Sequence, residues 1–554
     1  VMSQQLLFLI VLAVVVIVFA NTIASRVRVA GPLILVGIGV VISLIPAVPA
    51  LAVAPELILV GVLPPLLFSA AVSAPAIEFR RDLSAIGGMS VLLVILSSLV
   101  LGLFFAWAVP GLGLPLGIAL GAILSPTDAV ATSIVRGLGV PRRVLTILEG
   151  ESLLNDATAL VTLRTAIAVT ATSFSFVATL GAFVWAVLSA IVIGALVGIV
   201  ALRLRVWTHS PTANTALGFT VPYLAYLPTE AVGGSGLVAA VAAGVVCGQG
   251  ALRWLSPDQR ISDKLNWRTV EFILEGAVFL IMGLELYGIV QNNLAADEGL
   301  LRGALIAGAA FVILVLVRAA YVLPMLGLHN ARVRGWVQRR IDGDGGNRRG
   351  PRSSQRLGRM RADIEYYDAS PLTWKDSTVI VWAGMRGVVT LAAAQTLPRD
   401  TPERDLLVFV AFLVAAGSLL IQGLSLPLVT KLLRLPAGGA GGTSRDEVRL
   451  IGDDLRVTAE QAVARRAVLR ADRTPFADEL YRVPTSHFFS APDETEGDDT
   501  PASLEFELAV VMLMRERLHV LARSGEFSTG AARHMLDELD AYEISLRLHL
   551  DGED

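Results

Sequence analysis

Three acidic residues crowd into eight positions of an apolar stretch, Glu149-Gly-Glu-Ser-Leu-Leu-Asn-Asp156. On a helix, Glu151 and Ser152 lie one turn before Asp156 and within its reach. A carboxylate at the centre of a membrane helix costs about 2.5–3.5 kcal/mol, and proteins keep one there to bind a cation or carry a proton. Ser152, Asn155 and Asp156 offer hydroxyl, amide and carboxylate oxygens, which suit a hard cation such as Na⁺. The same carboxylate can hold a proton, so ion and proton can compete for it.

Two other apolar runs have polar interruptions. In Ser125-Pro-Thr-Asp128, the proline removes an N–H and frees a carbonyl one turn back. Mid-membrane, such a break is tolerated only beside protein or a wet cavity. Asp128 is placed to neutralise the N-terminus of the following half-helix. In Gly384-Met-Arg-Gly387, two glycines flank an arginine that needs a counter-charge. Paired, discontinuous helices of this kind mark inverted-repeat secondary transporters. Depth along the spans predicts a direct contact between Arg386 and Glu151. Arg318 and Glu271 are expected to snorkel to the cytoplasmic interface. Glu275 is the other intramembrane acid that could take part in transport. None of the six histidines falls at mid-membrane, which leaves proton handling to carboxylates.

The elements that carry these sites are apolar segments of about 17–25 residues. We expect about thirteen: 5–24, 31–46, 55–72, 85–109, 114–137, 147–170, 177–203, 212–228, 232–250, 268–290, 300–324, 376–397 and 405–432. The first, with its apolar run Leu6–Ala20, lacks a preceding basic segment and reads as a span rather than a leader. Of the 554 residues, 54% are hydrophobic and 17% charged, against about 25% charged in soluble domains. Arginines fall in alternate loops, at Arg26 and Arg28, Arg80 and Arg81, Arg142 and Arg143, Arg203 and Arg205, and Arg253 and Arg260. Positive loops are cytoplasmic, so the N-terminus is expected outside and the C-terminus inside. The single cysteine, Cys247, excludes a disulfide within the chain.

Two polar regions remain. Residues 325–375 read as a basic, solvated cytoplasmic loop, and 437–554 as a tail behind a Gly-rich linker. The tail is expected to hold helices near 445–471, 503–523 and 529–548, with a disordered acidic stretch at 490–502. It shows no nucleotide-binding or metal-ligand spacing, and nothing in the sequence calls for a cofactor, a nucleic-acid partner or an enzymatic activity. A cation channel would need rings of carbonyls or charges along a pore, and the sequence has a single asymmetric carboxylate site instead. A non-transporting sensor would leave the buried acids without a role.

At these motifs the chain resembles the first class of monovalent cation:proton antiporters, the NhaP and Na⁺/H⁺-exchanger group, in its bacterial form with a cytoplasmic tail. The matching segments are Leu63-Pro-Pro-Leu-Leu-Phe68, Ser125-Pro-Thr-Asp128, Glu149–Asp156 and Gly384-Met-Arg-Gly387, spread over residues 5–435. Arg515–Leu546 is similar to tails of the group, though less specifically. The resemblance implies an all-α polytopic protein with about thirteen spans, forming a homodimer in the plasma membrane. Spans 1–3 and 7–10 would form a dimerisation domain, and spans 4–6 and 11–13 a moving core. It implies that Asp156 binds the ion or proton with Ser152, Asp128 and Thr127 nearby, that Asn155 orients the site, and that Arg386 pairs with Glu151. The activity implied is exchange of Na⁺, or Li⁺, for H⁺, with K⁺/H⁺ exchange as the alternative. Asn155 stands where some relatives have a second acid, which points to electroneutral, one-for-one exchange. Ser69 departs from the pattern, since many members carry an acid there.

Overall fold

The computed structural model describes residues 2–27, 30–45, 54–128, 130–171, 176–208, 210–295, 299–343, 363, 366–367, 371–434, 445–470, 472–482 and 500–551. Among the described residues the regular structure is helical, with one isolated β-bridge pairing Leu469 with Pro475. Every apolar segment expected from the sequence is occupied by helix: α1 (Met2–Val27), α2 (Gly31–Ser43), α3 (Leu63–Ser73), α4 (Ala76–Arg81), α5 (Leu83–Gly87), α6 (Val94–Ala108), α7 (Gly113–Leu124), α8 (Val130–Arg136), α9 (Arg142–Ala171), α10 (Phe176–Trp207), α11 (Pro211–Ala231), α12 (Gly236–Trp254), α13 (Pro257–Ala295), α14 (Leu300–Gly343), α15 (Trp374–Trp382), α16 (Val388–Gln395) and α17 (Arg404–Leu432). Among the described residues, 83–108, 180–207, 257–294, 300–329 and 404–432 are long and apolar enough to cross a membrane, and shorter apolar helices lie between them.

Small residues set the closest approaches. Gly39 on α2 faces Gly283 on α13, where a Cβ on either would meet the other helix's backbone. Gly244 and Gly248 on α12 admit the α3 backbone at Phe68 and Val72 in the same way. Close backbone contact of this kind drives helix association where lipid removes the hydrophobic drive. Two π-helical turns, Leu57–Val62 and Gly88–Leu93, lead into α3 and α6.

The expectation for the first polar region needs correction. The stretch 325–375 is not simply a solvated loop. Helix α14 carries the chain to Gly343, and Asp363 pairs with Arg81 at 2.7 Å. Tyr366 donates to Asp82 at 2.9 Å, and Tyr367 donates to the Arg81 carbonyl at 2.7 Å. Residues 344–362 lie outside the described residues, as do the Gly-rich linker 437–444 and the acidic residues 490–499.

The tail helices α18 (Arg445–Ala464), α19 (Pro501–Ser524) and α20 (Thr529–Asp551) share their own apolar core, with Ile451, Leu455, Val510, Met514 and Leu539 buried in it. The first of them stops seven residues before its expected end. This bundle is docked on the membrane helices. Glu78 accepts from the Thr529 amide at 2.8 Å and its hydroxyl at 2.6 Å, so a membrane-domain acid caps α20. Arg533 donates to the carbonyls of Val72 and Ala74, both at 3.1 Å, and of Ser73, at the end of α3. Arg260 and Lys264 at the start of α13 pair with Asp540 and Asp537.

Candidate cation and proton site

Both expected breaks are present. After α7 the backbone leaves helical form at Pro126 and resumes as α8. Between α15 and α16, residues 383–387 are irregular around Gly384 and Gly387. The two breaks meet. The Asp128 amide donates to the Met385 carbonyl at 2.8 Å. Arg386 donates through Nε to the Leu124 carbonyl at 3.1 Å and through Nη1 to the Gly384 carbonyl. Its own amide donates to Ser418 Oγ at 2.9 Å. Helix ends leave backbone groups without partners, and here each break supplies partners for the other. Gly387 leaves room for this crossing, because a Cβ there would fall on the Asp128 carboxylate.

Helix α9 lays its polar run against the crossing. Asn155, fully buried, donates to Thr127 Oγ1 at 2.7 Å and to the Thr127 carbonyl at 3.4 Å. Its Oδ1 is buried without a hydrogen-bond partner among the described residues. Thr127 donates to Glu151 at 3.3 Å. Ser152 donates to the Glu149 carbonyl at 3.1 Å, leaving its oxygen on the same helix face as Asp156. Asp156 is 7% exposed, and no hydrogen bond or ion pair among the described residues holds its carboxylate. Its charged neighbour is Asp128, which also neighbours Glu275.

The expected pairing of Arg386 with Glu151 is overturned. Arg318 on α14 grips both Glu151 oxygens, one of them at 2.7 Å, and donates to the Ile380 carbonyl at 3.1–3.2 Å. Among the described residues no bond joins Arg386 to Glu151. The physical reason is that the broken helices free carbonyls of partial negative charge, at Leu124 and Gly384, and these take the hydrogen bonds of the Arg386 guanidinium, while Glu151 stays within electrostatic range of it. Arg318 does not snorkel; it is 2% exposed and lies beneath the α15 break. A charge inside the apolar run 300–324 was the available signal for its role. Glu271 is pinned by a hydrogen bond from Ser69 rather than reaching freely to the interface. Glu149 pairs with Arg136 at 2.6 Å, and Glu285 accepts from Gln395 at 2.9 Å.

The structure thus gathers Asp156, Asp128, Thr127, Asn155 and Glu151 at one crossing, with Ser152 one turn away on α9. Glu151 is neutralised by Arg318. Asp156 lies within electrostatic range of the like charge of Asp128, and two neighbouring carboxylates are disfavoured as a pair of bare charges. The orphan Asn155 oxygen adds an acceptor beside it, at a buried position where an unmet polar group is costly.

A family model described as sodium/hydrogen exchanger, transmembrane, matches residues 10–432. The chain is similar to an uncharacterized Na⁺/H⁺ exchanger, YjcE, of Escherichia coli K12, being 28% identical over 517 residues that cover 89% of each chain. It is similar to a sodium, potassium, lithium and rubidium/H⁺ antiporter of Bacillus pumilus, 29% identical over 442 residues, 77% of this chain and 61% of that one. Its fold is similar to the solved structure of the sodium proton antiporter MjNhaP1 from Methanocaldococcus jannaschii, with a TM-score of 0.58 and 17% identity over 78% of this chain and 99% of the other.

Proposed function

The chain belongs to the sodium/hydrogen exchanger family, and on that footing we propose that it exchanges Na⁺ or Li⁺ for H⁺ one for one across the plasma membrane, at Asp156. The observation that carries this reading is a buried Asp156 carboxylate without a bonding partner among the described residues, beside Asp128 at the crossing of two helix breaks. A secondary transporter needs one group that holds either cargo and is never satisfied by the protein itself. In the proposed cycle a cation is held by Asp156 with oxygens from Asp128, Ser152, Thr127 and Asn155. Protonation of Asp156 releases it. Asn155 is neutral, so one charge exchanges for one. The Arg318–Glu151 pair braces α9 against α14 and the α15 break, and Arg386 ties the two breaks together.

The wider reading follows the resemblance. About thirteen spans with an inverted repeat form a homodimer, with a dimerisation domain (spans 1–3 and 7–10) and a moving core (spans 4–6 and 11–13), the N-terminus outside and the tail in the cytoplasm. Alternating access then moves the core against the dimerisation domain. Potassium/proton exchange is the second reading, supported by the potassium in the name of the Bacillus pumilus relative and by an all-oxygen site that does not fix cation size.

The test is reconstitution in vesicles loaded with a pH dye, with Na⁺, Li⁺ and K⁺ added in turn. Dequenching by Na⁺ and Li⁺ well above that by K⁺ supports the proposal, and the reverse order selects the second reading. With the potential clamped by K⁺ and valinomycin, an unchanged Na⁺ rate supports one-for-one exchange, and a strong dependence rejects it.

A further inference from the structure

A cavity of about 620 Å³ opens between the membrane helices and the docked tail. Its walls are largely aliphatic, with Val72, Ile77 and Val245 on the membrane side and Leu518, Ala522 and Leu536 on the tail side. Four arginines line it, Arg80, Arg253, Arg523 and Arg533, and among the described residues no Asp or Glu does. Arg533 is engaged by the carbonyls at the end of α3. Arg80, Arg253 and Arg523 are exposed, and no hydrogen bond or ion pair among the described residues holds any of them.

Three unengaged guanidiniums around an aliphatic hollow define the chemistry of an occupant. A cation on its way to Asp156 would be repelled. A free phosphate would satisfy the arginines but leave the aliphatic walls wet. A nucleotide would set its polar base against walls in which Gln249, His519 and Thr529 are the few uncharged side chains able to hydrogen-bond it. An amphiphile with an anionic head and a hydrocarbon chain satisfies both halves. Arg80, near the end of α4, and Arg253, near the end of α12, belong to the arginine clusters that the positive-inside pattern puts on the cytoplasmic side, where anionic lipids concentrate.

We propose that this cavity binds an anionic phospholipid of the cytoplasmic leaflet. Its phosphate lies among Arg80, Arg253 and Arg523, and an acyl chain lies against Val72, Val245 and Leu536. Lipid would then form part of the seam between tail and membrane helices. The proposal goes beyond the antiport reading and does not depend on which cation is carried.

The experiment uses the full chain in detergent, stripped of lipid and then incubated with dioleoylphosphatidylglycerol or dioleoylphosphatidylcholine. Retained lipid is counted by native mass spectrometry. The proposal expects phosphatidylglycerol, and not phosphatidylcholine, to be retained at about one per protomer. Each arginine contributes roughly a fivefold preference near an anionic surface, so Arg80→Gln, Arg253→Gln and Arg523→Gln together should abolish retention. Ala522→Trp, which fills the aliphatic half and keeps every charge, should also lower retention several-fold, and it decides the question if the triple variant does not fold. Equal retention of both lipids, unchanged retention in the variants, or full displacement of phosphatidylglycerol by inorganic phosphate or ATP would overturn the proposal.

Discussion

Arg318 holds both carboxylate oxygens of Glu151 while also donating to the Ile380 carbonyl at the last turn before a helix break. One side chain thereby fixes α9, α14 and α15 together. Both partners are almost wholly buried, with side-chain exposures of 3% and 2%. Removing one member of such a pair leaves an uncompensated charge and typically costs about 3–5 kcal/mol.

Arg318→Ala should therefore destabilise the protein by several kcal/mol and abolish exchange. Arg318→Met combined with Glu151→Leu removes both charges and should recover most of the lost stability. Thermal unfolding in detergent checks this. If the double variant is no more stable than the single one, the pair is not what braces the site.

Gly387→Ala should abolish exchange although the glycine carries no charge. Its new Cβ would fall on the Asp128 carboxylate, and the carboxylate cannot move without disturbing the crossing that its own amide makes with Met385 at 2.8 Å. Gly417→Ala, where a Cβ meets nothing within 4 Å, is the control and should leave exchange intact. Comparable activities for the two variants in the vesicle assay would contradict this account of the crossing.

The tail should be pH-sensitive. Burial pushes the His519 imidazole below its ordinary value of 6.5; Glu516 opposes the shift, and Arg260, Arg515 and Arg523 add to it. A histidine whose pKa is lowered in the folded state binds its proton more readily when unfolded. Its contribution to stability is then fully present above about pH 6.5 and declines as pH falls toward the lowered value. Amide hydrogen exchange in α19 and α20 should accelerate as pH falls through this window, after correction for the intrinsic rate. His519→Gln should flatten the response, and an unchanged pH profile in that variant would assign the sensitivity elsewhere.

Much of the site is legible in the sequence because its signals are local. Pro126, Gly384 and Gly387 announce the breaks within apolar runs, and the crowding of acids before Asp156 marks the α9 face. The partner of Glu151 is not legible in the same way. Residue spacing gives depth along a helix but not the rotation of α14 that aims Arg318, nor the carbonyls that a break frees for Arg386. Tail docking is hidden for a related reason. Thr529 and Glu78 are 451 positions apart, and neither lies in a pattern that names its partner. The helix register shows which face of α20 is apolar. It does not show that a membrane-domain acid caps the helix.

The central claim is that Asp156 is the group both cargoes share. Asp156→Asn keeps the shape of the side chain and removes its capacity to alternate between proton and cation. The most direct measurement is the Na⁺-driven signal of the pH dye in vesicles containing equal amounts of wild-type and Asp156→Asn protein, each first shown to be folded by its thermal transition. The account predicts a full wild-type response and none from the variant beyond that of empty vesicles. Substantial Na⁺-driven proton movement by folded Asp156→Asn would contradict it.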